Sequence, residues 1–122
     1  MKPMHSKLLL ASLVSILAGG SALAGDADFT LVNRTGYTLR EVYISPSSKN
    51  SWGNDRLGQG YLENGKSRLF KFSDDSACDK DLQVVFDENG AKVVWQDVDV
   101  CEIRKITLKY DRSTNTVSAD TE

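Results

Sequence analysis

The stretch Leu82-Gln83-Val84-Val85-Phe86-Asp87-Glu88-Asn89-Gly90-Ala91-Lys92-Val93-Val94-Trp95 is two β-rich runs on either side of an Asn-Gly pair. Valine, phenylalanine and tryptophan favour a pleated, half-buried surface. An Asn-Gly pair between two such runs is a strong short-range hairpin signal. The stretch therefore predicts two antiparallel strands. The same period-two habit extends in both directions, and no stretch of helical period interrupts it.

Upstream, Phe29-Thr30-Leu31-Val32 predicts a first strand and Asn33-Arg34-Thr35-Gly36 a turn. Residues 39–45 predict a second strand, with Val42 and Ile44 two apart; Pro46 ends it because proline cannot donate to a ladder. Glu63-Asn64-Gly65-Lys66 reads as a turn into a strand over 69–72. Downstream, Val98-Asp99-Val100-Cys101 continues the alternation, and Ile106-Thr107-Leu108-Lys109-Tyr110 is another strand. After a turn at 111–115, residues 116–118 predict a short last strand, followed by a loose tail. About seven short strands predict an all-β fold, an immunoglobulin-like or related two-sheet β-sandwich; a closed barrel is the alternative.

The N-terminus has another character. Lys2 and Lys7 precede an apolar run over 8–18, Gly19 and Gly20 break it, and Ala22-Leu23-Ala24 ends it with small residues. This is the layout of a secretory signal peptide cleaved after Ala24. The run is shorter than the roughly 20 residues a membrane span needs. The domain assignment is thus a signal peptide at 1–24 and a single β domain at 25–122, periplasmic or secreted, with no membrane insertion of the mature chain. Loss of Lys2 and Lys7 takes the 15 basic residues to 13 against 17 acidic ones, or about −4. An acidic domain repels phosphate backbones, which argues against nucleic acid as a partner. His5, the only histidine, leaves with the signal. Cys78 and Cys101 remain, and an even count in an exported chain reads as a disulfide.

Catalysis finds little support. Serines have no imidazole to activate them, and Ser48-Lys49 and Lys66-Ser67 are ordinary loop neighbours. Asp97 and Asp99 share one strand face, with Glu102 following, but Val98 and Val100 on the other face suit a solvated strand over a core. The expectation is a non-enzyme, with a carboxylate-dependent enzyme as the second alternative. No cofactor is expected. Asp74, Asp75, Asp79 and Asp81 are weak calcium candidates, since calcium takes several acidic oxygens, and a calcium-dependent carbohydrate or cell-surface module is an alternative function. Asn33-Arg34-Thr35 matches a glycosylation sequon.

The candidate working surface is the polar 47–60 loop. Structureless loops of this length are uncommon in compact domains and often functional. Trp52 stands in it among Ser51, Asn54 and Asp55, and a large aromatic in such company is a common interface anchor. Tyr61 and Tyr37 are candidates to join it. Alternatively, Trp52 folds back to plug the open end of the sandwich. Trp95 is assigned to the core.

These pieces together carry a resemblance. Phe29-Thr30-Leu31-Val32-Asn33-Arg34-Thr35-Gly36-Tyr37, Val42-Tyr43-Ile44-Ser45-Pro46-Ser47 and Trp52-Gly53 resemble a family of small exported bacterial proteins of unassigned function. Gly65-Lys66-Ser67, Cys78 before Asp81-Leu82, and Trp95-Gln96-Asp97-Val98 leading to Cys101 extend the similarity over about 29–108. The resemblance implies a periplasmic β-sandwich and supplies no catalytic residues. The leading expectation is a non-enzymatic module that binds a protein partner, for instance an inhibitor or immunity-type protein.

Overall fold

A computed structural model describes residues 26–73 and 75–122. The expected signal peptide lies outside the described residues.

Seven strands form two sheets: β1 Phe29–Arg34, β2 Leu39–Pro46, β3 Ser67–Phe70, β4 Asp79–Phe86, β5 Lys92–Asp99, β6 Lys105–Asp111 and β7 Thr116–Thr121. One sheet runs β3-β1-β6-β7 and the other β2-β4-β5, with β1 and β6 parallel and every other pair antiparallel. The two hairpins, β4-β5 and β6-β7, each stay within one sheet, while the other connections cross between sheets. The result is the expected β-sandwich, not a closed barrel.

Alternation sets the core. Phe29 and Leu31 of β1, Val42 and Ile44 of β2, Leu82 and Val84 of β4, Trp95 and Val98 of β5, and Ile106 and Leu108 of β6 meet between the sheets. Trp95 is fully buried, as expected, and its indole Nε1 has no hydrogen-bond partner among the described residues. Trp95 and Val98 are three apart yet both face inward. A bulge at Gln96–Asp97 makes this possible: Leu82 pairs with Trp95 but Lys80 with Val98, and Asp97 takes φ 57°.

Some local expectations need correction. The third strand is Ser67–Phe70, not 69–72. Alternation does not continue in a strand through Cys101: Asp99 caps a 3-10 turn over Val100–Glu102, its carboxylate accepting from the Cys101 amide at 3.1 Å. The C-terminal tail is not loose. β7 reaches Thr121, and Glu122 exchanges backbone hydrogen bonds with Lys105. Cys78 and Cys101 form the expected disulfide, with Cα atoms 5.2 Å apart, joining the start of β4 to the turn after β5.

Candidate functional site

The β1–β2 turn shows what the Asn33-Arg34-Thr35-Gly36 motif does. Asn33 points inward and is fully buried. Its Nδ2 donates to the Tyr37 carbonyl at 2.7 Å and the Leu62 carbonyl at 2.9 Å, and its Oδ1 accepts from the Thr35 amide and hydroxyl. Gly36, at φ +91°, donates to Asn64 Oδ1. The sequon is therefore a structural knot, with the nitrogen a glycan would need already committed.

The 47–60 loop is largely a strap along the open edge of β2. The Leu39 amide and carbonyl bond to Leu62, the Val42 amide to Asp55 Oδ1, the Val42 carbonyl to the Arg56 amide, and the Ile44 carbonyl to Arg56 Nη2. Asp55 Oδ1 also accepts from Leu57 N at 2.9 Å. Asp55 thus fastens the loop, while Leu57, not Trp52, is its buried plug. Trp52 is half-buried and packs on Tyr43, ring centroids 6.4 Å apart. Tyr43 lies on the outer face of β2, between inward Val42 and Ile44. Its hydroxyl donates to Glu41 Oε1 at 2.6 Å. That bond holds the Glu41 carboxyl below the usual carboxylate range and, with burial, pushes the Tyr43 phenol up to about 12. Ser51 and Asn54 are exposed beside Trp52 along the chain. Tyr61 is 57% exposed beyond the strap, before its last anchor at Leu62.

Tyr37 belongs elsewhere. It sits between β1 and β2, edge-on to Phe86 (centroids 6.5 Å, 89°) and to Tyr110 (5.7 Å, 73°). These three rings, with Val93 and Val117, line a groove of about 480 Å³. The β4–β5 hairpin supplies Glu88 and Asn89, and the β6–β7 turn supplies Asn115 and Thr116. Nothing in the sequence marks this site locally, because three distant segments build it.

The acidic candidates do not come together. Asp75 accepts from Ser73 Oγ in an exposed segment, Asp79 is exposed at the start of β4, and Asp81 accepts from Ser47 Oγ at 2.7 Å and the Asp97 amide at 3.0 Å. Asp74 lies outside the described residues. Among the described residues, the one convergent trio is Cys78, Asp99 and Cys101, whose sulfurs are already bonded to each other. Asp97 and Asp99 are both exposed, over buried Val98 and Val100.

Lys80 is the one buried lysine described. It faces inward behind Leu82, its ammonium 4.4 Å from the centroid of the Phe72 ring and bonded to Ser76 Oγ at 2.7 Å. The Arg56 guanidinium lies 4.9 Å from the same centroid. Burial, then the Arg56 charge, hold the Lys80 ammonium below the usual lysine value.

No protein-family model, curated protein or solved structure is significantly similar to the chain. Among the described residues no helix is long and apolar enough to cross a membrane.

Proposed function

We propose that this is a non-enzymatic binding module, exported to the periplasm or beyond the cell, that engages a protein partner through the Trp52 end of the 47–60 loop. The observation that carries the reading is the Trp52–Tyr43 pair, held half-exposed on a loop fastened along β2. A pre-ordered loop loses little entropy on docking, and an aromatic anchor buries much area for few torsions. Ser51 and Asn54 would form the polar rim, while Asp55 acts from behind by holding the loop. Tyr61 is exposed at the far end of the strap, next to the Leu62 anchor, and Tyr37 packs on Phe86 and Tyr110 instead of on Trp52. The disulfide and the N-terminal sequence pattern support an exported setting. Inhibition or neutralisation of a toxic or lytic enzyme is the concrete form this module would take, because a small, stapled scaffold with a pre-ordered loop suits that task.

The test is capture from native periplasmic and extracellular extract, with the oxidised protein and its Trp52→Ala variant as parallel baits. A partner held by the first and lost by the second is the expected result. Equal capture by both would remove Trp52 from the interface.

A further inference from the structure

We propose that the groove between the β4–β5 hairpin and the β6–β7 turn is a saccharide-binding subsite, separate from the Trp52 surface. The juxtaposition that carries it is three aromatic rings beside side-chain hydrogen-bonding groups. Tyr37, Phe86 and Tyr110 meet at steep angles and form the apolar wall. Steep ring pairs are a favourable packing of aromatic quadrupoles, so the wall holds its shape without a ligand. Sugars present flat C–H faces that lie on such rings and hydroxyls that need donors and acceptors around the rim.

The rim supplies both. Asn89 uses Oδ1 on the Ala91 amide, and Asn115 uses Oδ1 on the Tyr110 hydroxyl. Neither Nδ2 has a partner among the described residues, so each is a donor. Glu88 is exposed and adds an acceptor. Apolar walls with a few placed polar groups are the usual make-up of a small-molecule site.

Charge and size narrow the ligand. No lysine or arginine lines the groove, and one carboxylate does, which disfavours phosphorylated, sulfated or uronic sugars. A volume of about 480 Å³ suits a short oligosaccharide better than a lone organic cation. An extended peptide added to β5 is the other occupant such a place could take. β5 discourages it, with Lys92 at its groove end and the Gln96–Asp97 bulge further along. Charged residues and bulges are the devices that blunt an edge strand. The ligand class is therefore a short neutral or amino-sugar oligosaccharide, bound through side chains.

The experiment titrates the ¹⁵N-labelled oxidised protein with neutral and amino-sugar oligosaccharides of several linkages, and in parallel with a library of extended peptides. The expected result is saturable shifts at Tyr37, Asn89, Tyr110 and Asn115 with at least one saccharide class at millimolar concentration. Tyr37→Ala should weaken that binding about tenfold or more. Tyr37 also packs on Phe86, so a second variant guards against loss of folding: Ala91→Trp, which fills the groove from an exposed position. It should abolish binding with far-UV spectrum and thermal midpoint unchanged. No saccharide shift at these residues, shifts at Trp52 and Tyr43 instead, binding retained by folded Ala91→Trp, or groove shifts with peptides alone would each overturn the proposal. Partner capture by Ala91→Trp, read separately, keeps this result distinguishable from the fate of the Trp52 surface.

Discussion

Asn33 illustrates how much a single side chain decides. The sequence shows a turn and a sequon; the folded chain has a buried amide bonded to Thr35 and Tyr37 in its own turn and to distant Leu62. Asn33→Ala would leave the Thr35 amide without its acceptor, while the Leu62 carbonyl keeps the Leu39 amide and the Tyr37 carbonyl keeps the Thr35 hydroxyl. It should cost about 1–3 kcal/mol in urea unfolding, the penalty for one buried orphan. Tyr43 and Glu41 offer a titration test. The hydrogen bond to Glu41 raises the Tyr43 phenol from 10.0 to about 12. The stabilisation from this raised group is fully present below pH 10 and is lost as pH climbs through the folded value. Tyrosinate absorbance should show one of the four tyrosines lagging the others, and Glu41→Gln should bring it back toward the ordinary value. Lys80 acts with the opposite sign. Its folded value lies below the unfolded one, so the unfolded chain binds the proton more tightly. Stability should therefore rise with pH through the window that ends near 10.5, as the buried ammonium discharges. Lys80→Met should flatten that rise in chemical-denaturation curves taken across the alkaline range. The Tyr43 effect opposes it above pH 10, so the two are best separated with the Glu41→Gln background.

At the scale of elements, the strap along β2 is the chief departure from a plain sandwich. Edge strands expose unpaired amides and carbonyls that invite another chain, and a covering loop is one way to close them. The 47–60 loop does this with one carboxylate and one arginine at its centre. Asp55→Ala removes the acceptor of both Val42 N and Leu57 N. It should cost about 1–3 kcal/mol, speed hydrogen exchange at Val42 and Leu57, and promote concentration-dependent association seen by light scattering. Unchanged exchange at Val42 would mean that the strap does not depend on Asp55. The bulge in β5 works on the same scale. Without it, Trp95 and Val98 would face opposite ways, and one of the two large apolar side chains would leave the core.

For the whole molecule, the cysteine bridge closes a loop 23 residues apart in sequence, linking β4 to the turn that leads into β6. A closure of that length contributes about 3 kcal/mol in the chain-entropy model. A domain of this size is stable by only about 5–15 kcal/mol in all. Reduction should therefore lower the urea midpoint substantially while the far-UV strand signature survives at low denaturant, because the Val100 amide still bonds to the Cys78 carbonyl and the core is intact. The two candidate surfaces also belong to this scale. One is the outer face of the three-stranded sheet with its strap, and the other lies between two hairpin ends. They share no residue, so one molecule has room for both a protein partner and a saccharide.

The all-β class, the number of strands, the buried Trp95, the cysteine pairing and the hairpin at Asn89-Gly90 are legible in the residues alone. Each of these depends on local periodicity, turn chemistry or a count of thiols, and neighbours along the chain carry that information. The tertiary structure alone decided that Asn33 is buried, that Asp55 fastens an edge instead of facing a partner, and that Trp52 rests on Tyr43 while Leu57 fills the core. It also decided that Tyr37 joins Phe86 and Tyr110 instead of the loop. These are contacts between residues far apart in the chain, set by strand register and by which connections cross between sheets. A single sequence carries no direct mark of register, because shifting a strand by two residues leaves its apolar pattern unchanged.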